Sequence, residues 1–328
     1  MKRMLFRYSL GHFAVDALCA WVILGRLTGQ SDWVTLALVY NFCAFALQMP
    51  IGILVDRLGR NRLCSGLGAL VVCLSLLPAG PLPCAVLAGV GNAMYHVGGG
   101  REILRTFDGA GPLGVYVAPG AVGLLLGGVL RDWAWGGVAG VGLLGLCGLL
   151  LLLDAREEAP SAGSMARPGH GGWGRVASLF AVVVLRSLVG FLLAAPWRVG
   201  VWVWIGAVLA ACGKASGGVL ADRFGSGRAG FWSLLLAAAL FLLPSSPVCG
   251  CLGGFFFQMS MPITLSRASR QLPGGEGFTF GLMTFGLFLG FLPVVLGWQI
   301  PVWSCGLLSA LSAVALALEG RERASCIM

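Results

Sequence analysis

Charge is what this chain has least of. Only 11% of its 328 residues are Asp, Glu, Lys or Arg, while 58% are hydrophobic. A soluble globular domain carries about 25% charged residues. So few charges cannot cover a water-facing surface, which excludes a soluble domain. Histidine occurs only three times, and the 11 cysteines include no Cys-x-x-Cys pair. Cys249-x-Cys251 has a spacing that suits neither a zinc site nor a redox motif. No glycine-rich phosphate loop ends in Lys-Ser/Thr, so direct ATP drive is not indicated. No Ser-His-Asp order and no His/Cys metal spacing stands out. The sequence therefore predicts no enzyme, no cofactor and no metal.

Apolar segments and glycine are abundant. A membrane-spanning helix needs about 20 mostly apolar residues. Runs of that kind lie near 5–25, 33–55, 63–79, 83–100, 112–130, 135–153, 176–196, 199–221, 229–246, 247–265, 277–297 and 300–318. Glycine accounts for 52 residues, and small residues let helix backbones approach closely in lipid. The reading is an all-α integral membrane protein of twelve transmembrane helices, read as a monomer in the lipid bilayer. Lys2 and Arg3 precede the first run, but His12 and Asp16 interrupt it, so a retained first helix is expected rather than a signal peptide.

The net charge of +9 comes in small clusters between apolar runs, which argues for topology and against a nucleic-acid partner. With a cytoplasmic N-terminus, seventeen Lys and Arg fall on inner segments and three on outer ones. Cytoplasmic loops carry the Lys/Arg excess. Both termini are thus expected in the cytoplasm, with the chain multi-pass in the cell membrane.

The longest hydrophilic stretch, 154–175, reads as a cytoplasmic linker. It separates an N-terminal six-helix bundle, 1–153, from a C-terminal one, 176–328. The two bundles read as pseudo-symmetric repeats. "GILVDRLGR" begins at Gly52 and "GVLADRFGS" at Gly218, 166 residues apart. Both phrases place a glycine four residues before an aspartate, then Asp-Arg-x-Gly. Arg101 and Arg267 keep the same offset, as do Gly120 and Gly286. Repeated halves commonly hold a site exposed alternately to each side of the membrane. Gly52, Asp56, Arg57, Gly59 and Arg60, with Gly218, Asp222, Arg223 and Gly225, are the candidates for a conformational latch. In that reading the glycine admits a neighbouring helix, and the carboxylate meets a positive helix N-terminus.

"GILVDRLGRNR" resembles the loop motif of the major facilitator superfamily, Gly-x-x-x-Asp-Arg-x-Gly-Arg-Arg/Lys, with Asn61 where a basic residue is usual. "GVLADRFGSGR" is similar to its degenerate second copy. The resemblance covers the whole chain and implies secondary transport by alternating access. "GVGNAMYHVGGGRE" is similar to the Gly-x-Gly-x-Ala-x-Phe-His-Pro stretch of fosmidomycin-resistance-like efflux proteins. Tyr95-His96 matches the aromatic-His pair, and Val97 replaces the proline. The implied function is proton-coupled efflux of a small solute. The alternative is a non-transporting membrane sensor or structural protein derived from a transporter.

Ionisable residues at membrane depth are costly and mark function. Tyr8, His12 and Asp16 are spaced by four and share one face of the first span. His12 and Asp16 are the proton-coupling candidates. His96 and Asn92 share a face of the fourth span and are expected nearer the substrate. Asn41, seven residues before Gln48 and on one stripe with it, offers neutral hydrogen bonds. Arg186, Lys214 and Gln258 complete the candidate substrate contacts. The two cations tilt the reading toward an anionic solute, and either could also pair with Asp16.

Overall fold

The computed structural model describes residues 1–325 except 79, 157, 164, 167, 168, 170, 194–197, 244, 299 and 302, with side chains up to 318. Among the described residues there are twelve helices and no strand. They are α1 (Lys2–Leu27), α2 (Trp33–Leu58), α3 (Asn61–Leu74), α4 (Pro81–Thr106), α5 (Gly111–Val129) and α6 (Ala134–Ala155). After the linker come α7 (Gly172–Leu192), α8 (Val201–Phe224), α9 (Ser226–Leu240), α10 (Pro247–Ser269), α11 (Glu276–Val295) and α12 (Ser304–Ser325). Helices suit lipid because each satisfies its own backbone groups. Eight of them are long and apolar enough to cross a membrane: α1, α2, α5, α6, α7, α8, α10 and α11. The chain is a multi-pass membrane protein. The remaining helices include α3 and α9, at 14 and 15 residues.

Several boundaries differ from the apolar runs. α4 continues past the run's end at 100 and carries Arg101, Glu102 and Arg105 in helix. Those charges are held by side-chain partners, so the helix need not stop at them. α7 begins at Gly172 and α6 ends at Ala155, so the irregular part of the linker is shorter than the hydrophilic stretch. α2 contains a π-helical segment, Phe42–Ala46. Its extra residue is worth about 100° of helix rotation. Asn41 and Gln48 are therefore turned off a common stripe: Gln48 is buried and Asn41 only half so.

The chain divides into two compact units. The first comprises Met1–Thr106, Pro119–Ala166 and Pro273–Phe285, and the second Phe107–Ala118, Arg167–Leu272 and Gly286–Met328. The divisions fall inside α5 and α11. The first unit includes the opening turns of α11, and the second includes the opening turns of α5.

Within the first unit, α1 packs against the later part of α5. A methyl group added at Gly123 would lie 2.3 Å from the Phe13 carbonyl oxygen, so the two backbones are nearly in contact. Tyr8 and Tyr95 are fully buried, and the Tyr95 hydroxyl donates to the Tyr8 carbonyl at 2.9 Å. That bond joins α1 to α4 at the level where their polar residues meet.

Candidate functional site

α1 presents His12 and Asp16 one turn apart, as the spacing of four dictates. α4 presents His96 to the same place. All three are buried, at 5%, 8% and 9% exposure. His12 Nε2 lies 3.3 Å from Asp16 Oδ2, and His96 Nε2 lies 3.5 Å from Asp16 Oδ1. The two Nε2 atoms are 3.1 Å apart. The imidazole rings meet edge to face, with centroids at 4.4 Å. His96 Nδ1 is 2.9 Å from the Asn92 carbonyl oxygen, one turn back on α4. A carbonyl only accepts, so that contact places the proton on Nδ1 and leaves Nε2 with a lone pair when the ring is neutral.

Gly120 of α5 forms a wall of this site. A methyl group there would sit 2.3 Å from Asp16 Oδ2 and 2.5 Å from His12 Cδ2. Only hydrogen fits. The glycine was visible in the sequence through its 166-residue partner, but its place beside Asp16 was not. His96, expected to bind substrate or to shuttle a proton, lies against the His12–Asp16 pair. No linear spacing announces the trio, because His96 comes from 84 residues downstream of His12.

The other neutral candidates are less engaged with one another. Asn92 Nδ2 is 3.6 Å from Cys19 Sγ. Asn41 Nδ2 and Gln48 Nε2 each donate to a carbonyl one turn back on their own helix, at 2.8 and 2.6 Å.

The first repeated phrase sits in a charged network inside the first unit. Asp56 is 5% exposed. Its carboxylate accepts from the amides of Gly277 at 2.9 Å and Phe278 at 2.8 Å, in the first turn of α11. Arg101, fully buried, donates from Nε to Asp56 at 2.6 Å, from Nη1 to Asn61 Oδ1 at 2.5 Å and from Nη2 to the Ser161 carbonyl at 2.8 Å. Asn61 in turn donates to Glu102 at 2.6 Å. The position where the loop motif usually has a basic residue is thus filled by an amide that bridges an arginine and a carboxylate. Gly59 ends α2 in the left-handed region, φ 64°, as a helix C-cap requires. Gly52 lies so close to α11 that an added methyl would be 2.2 Å from the Gly277 carbonyl oxygen.

The linker joins this network. Ser161 N donates to the Gly59 carbonyl at 3.1 Å, and Gly163 N to the Asp56 carbonyl at 2.8 Å. Arg60 donates to the Glu158 carbonyl at 2.8 Å. A hydrophilic stretch without periodicity gave no hint of this docking. Arg57 is exposed.

In the second unit, Asp222 accepts from the amides of Ala110 and Gly111, both at 2.7 Å, at the start of α5. A methyl at Gly218 would lie 2.2 Å from the Ala110 carbonyl oxygen. Gly225 ends α8 at φ 92°, and the Arg223 guanidinium lies 5.4 Å from the Phe224 ring centroid. Deeper in the same unit, Arg186 of α7 is 6% exposed. Its Nη2 is 3.5 Å from Gln258 Oε1, and its guanidinium lies over Phe257 at 5.2 Å. Its Nε has no hydrogen-bond partner among the described residues, and no described ion pair includes it. Lys214 Nζ is 3.5 Å from the Val117 carbonyl oxygen.

No protein-family model matches the sequence, and no curated protein matches it. Solved structures do match in fold. The Escherichia coli fucose:proton symporter FucP aligns over 98% of both chains with a TM-score of 0.71 at 14% identity. The human organic anion transporter MFSD10 (TETRAN) aligns over 97% of this chain and 99% of its own, with a TM-score of 0.71 at 15% identity. A bacterial homologue of the iron transporter ferroportin, in an outward-facing state, aligns over 97% and 98%, with a TM-score of 0.65 at 15% identity.

Proposed function

We propose that this chain, which has the fold of a major facilitator superfamily transporter, is a secondary active transporter of a small solute rather than an enzyme. The halves 1–153 and 176–328 act as the moving bodies of alternating access, as a monomer in the cell membrane with both termini cytoplasmic. Transport is coupled to protons, and its physiological direction is efflux, the mode that the Tyr95-His96 stretch suggests.

The carrying observation is the buried trio His12, Asp16 and His96. An ionisable group at membrane depth is costly unless it serves transport or is paired. Here one carboxylate faces two imidazoles at 3.3 and 3.5 Å, with a single nitrogen–nitrogen contact of 3.1 Å between the rings. Such a trio holds one proton among several acceptors, which is what a coupling site needs. Asp56 and Asp222 serve as latches, each gripping a helix N-terminus in one transport state and releasing it in the other.

Arg186 supports an anionic solute. Among the described residues this buried guanidinium has an amide and a phenyl ring beside it and no ion-pair partner, and desolvating it costs several kcal/mol. A carboxylate or phosphonate group of the solute would supply that charge. Two neighbours in fold fit this reading in part, one a proton symporter and the other an organic anion transporter.

The test is transport by the purified chain in proteoliposomes, with and without a pH gradient, over a panel of small organic anions and neutral compounds. Gradient-driven movement is expected for at least one anion. Asp16→Asn abolishes that movement and keeps solute exchange, while Arg186→Gln loses anions selectively. Movement of every solute at the same rate with and without the gradient removes proton coupling. The same assay run in both orientations measures direction.

A further inference from the structure

The geometry points to a site for a first-row divalent transition-metal ion, held by His12 Nε2, His96 Nε2 and the Asp16 carboxylate. The inference goes beyond the transport reading and does not need it. Three observations carry it.

Distance is the first. Zinc-type ions bind imidazole nitrogen and carboxylate oxygen at about 2.0–2.2 Å, so neighbouring donors around one ion stand about 2.8–3.6 Å apart. The two Nε2 atoms are 3.1 Å apart, and each lies near one oxygen of the Asp16 carboxylate, His12 at 3.3 Å from Oδ2 and His96 at 3.5 Å from Oδ1. One donor atom from each residue can be chosen so that all three lie within 4.8 Å of one another. Two of the chain's three histidines therefore point the same ring nitrogen at one place, beside a carboxylate.

Tautomer is the second. The Asn92 carbonyl at 2.9 Å fixes the proton of His96 on Nδ1 and turns the Nε2 lone pair into the trio. A ligating histidine is usually oriented in this way, by donating its other ring N–H to a carbonyl or carboxylate. The bond comes from within α4 and is present before any ion arrives.

Crowding is the third. With His96 Nε2 unprotonated and Asp16 ionised, a single proton on His12 Nε2 can serve His96 or Asp16, but the third contact, Asp16 to His96, then sets two acceptors facing one another. A cation among the three donors satisfies all of the contacts at once. Two imidazoles and one carboxylate suit Zn²⁺, Co²⁺, Ni²⁺ and Fe²⁺ and do not suit Mg²⁺ or Ca²⁺, which take oxygen donors. Three protein donors leave further positions for water or for a donor group of a bound solute.

The experiment is direct binding to the full-length, untagged chain in detergent, followed by Co²⁺ absorption bands and by competition with Zn²⁺. One saturable Co²⁺ per chain is expected, displaced by Zn²⁺ and unaffected by millimolar Mg²⁺. Asp16→Asn and His96→Asn are each expected to weaken binding by at least about tenfold, the loss that even outer-shell partners of a metal site produce. Size exclusion and thermal unfolding establish whether each variant is folded. Should the ligand variants not fold, Gly120→Ala decides. It keeps all three donors and sets a methyl group 2.3 Å from Asp16 Oδ2, so weakened binding supports the site and unchanged affinity overturns it. Absence of saturable binding by the parent chain, or equal affinity in a folded His96→Asn variant, also overturns it. Binding is read without transport, so a chain that binds the ion and moves no solute, or the reverse, separates this inference from the transport reading.

Discussion

Asp56 and Asp222 hold equivalent places in the two copies of one phrase, yet their surroundings differ. Each accepts two backbone amides at the start of a helix. Each phrase has a glycine whose added methyl would meet a carbonyl oxygen at 2.2 Å, and each ends its helix on a glycine at positive φ. There the likeness stops. Asp56 is buried and bonded to the fully buried Arg101, whereas Asp222 is exposed and no described ion pair includes it. The cause is legible at the last position of the motif. Asn61 orients Arg101 and links it to Glu102, while the equivalent residue, 166 further on, is Gly227, which has no side chain to offer. Arg267, the equivalent of Arg101, donates instead to the Leu316 carbonyl at 2.9 Å. The helix-gripping part of the phrase is thus common to both copies, and the buried charge network belongs to one.

The comparison breaks first at the aspartates. Asp56→Asn strands a buried guanidinium, and removing one partner of a buried pair costs about 3–5 kcal/mol. Asp222→Asn at an exposed site keeps an oxygen that accepts from the amides, and Asn and Asp cap helices about equally, so a loss below about 1 kcal/mol is expected. Thermal unfolding in detergent should therefore show a much larger drop in Tm for the first variant. Equal drops would mean that the Arg101 network adds nothing to the helix cap.

Asn61→Gly turns the first copy into the second. It removes one charge-assisted bond to Arg101 and one to Glu102, and such bonds contribute about 1.5–3 kcal/mol each. A loss of about 2 kcal/mol is expected, since water replaces part of the network. No change in Tm would place the difference between the copies elsewhere.

The smallest expected contrast is between Gly52→Ala and Gly218→Ala. Both add a methyl against a backbone carbonyl at the same distance, so each should lose about 1–3 kcal/mol, the usual range for overpacking. Unequal losses would show that one helix contact yields more easily than the other.

These contrasts also mark how far the sequence could be read. The apolar runs located twelve helices because a continuous apolar run of about 20 residues satisfies its backbone in lipid as a helix, and the spacing of His12 and Asp16 put them on one face. The repeated phrase drew attention to Gly52, Asp56, Gly218 and Asp222 before any partner was known. What escaped were contacts made at long range. His96 reaches Asp16 only because α4 packs on α1, and Gly120 faces both because the later part of α5 crosses α1 closely. The π segment of α2 shifted Asn41 from Gln48, and no residue in Phe42–Ala46 signals such a segment. The docking of Ser161 and Gly163 runs through backbone amides, which carry no mark in a sequence.

The sequence separation of these contacts orders events during synthesis. Asp222 meets amides that left the ribosome 111 and 112 residues before it. Asp56 must wait for amides that lie 221 and 222 residues after it. The second copy can close as soon as α8 is inserted. The first unit includes residues 273–285, so it cannot be completed until ten helices are already in place. Arg101, which bonds Asp56 in the finished chain, is synthesised with α4 and so is available to hold that charge through the interval. A chain stalled before residue 273 would therefore present the second phrase gripped and the first still open.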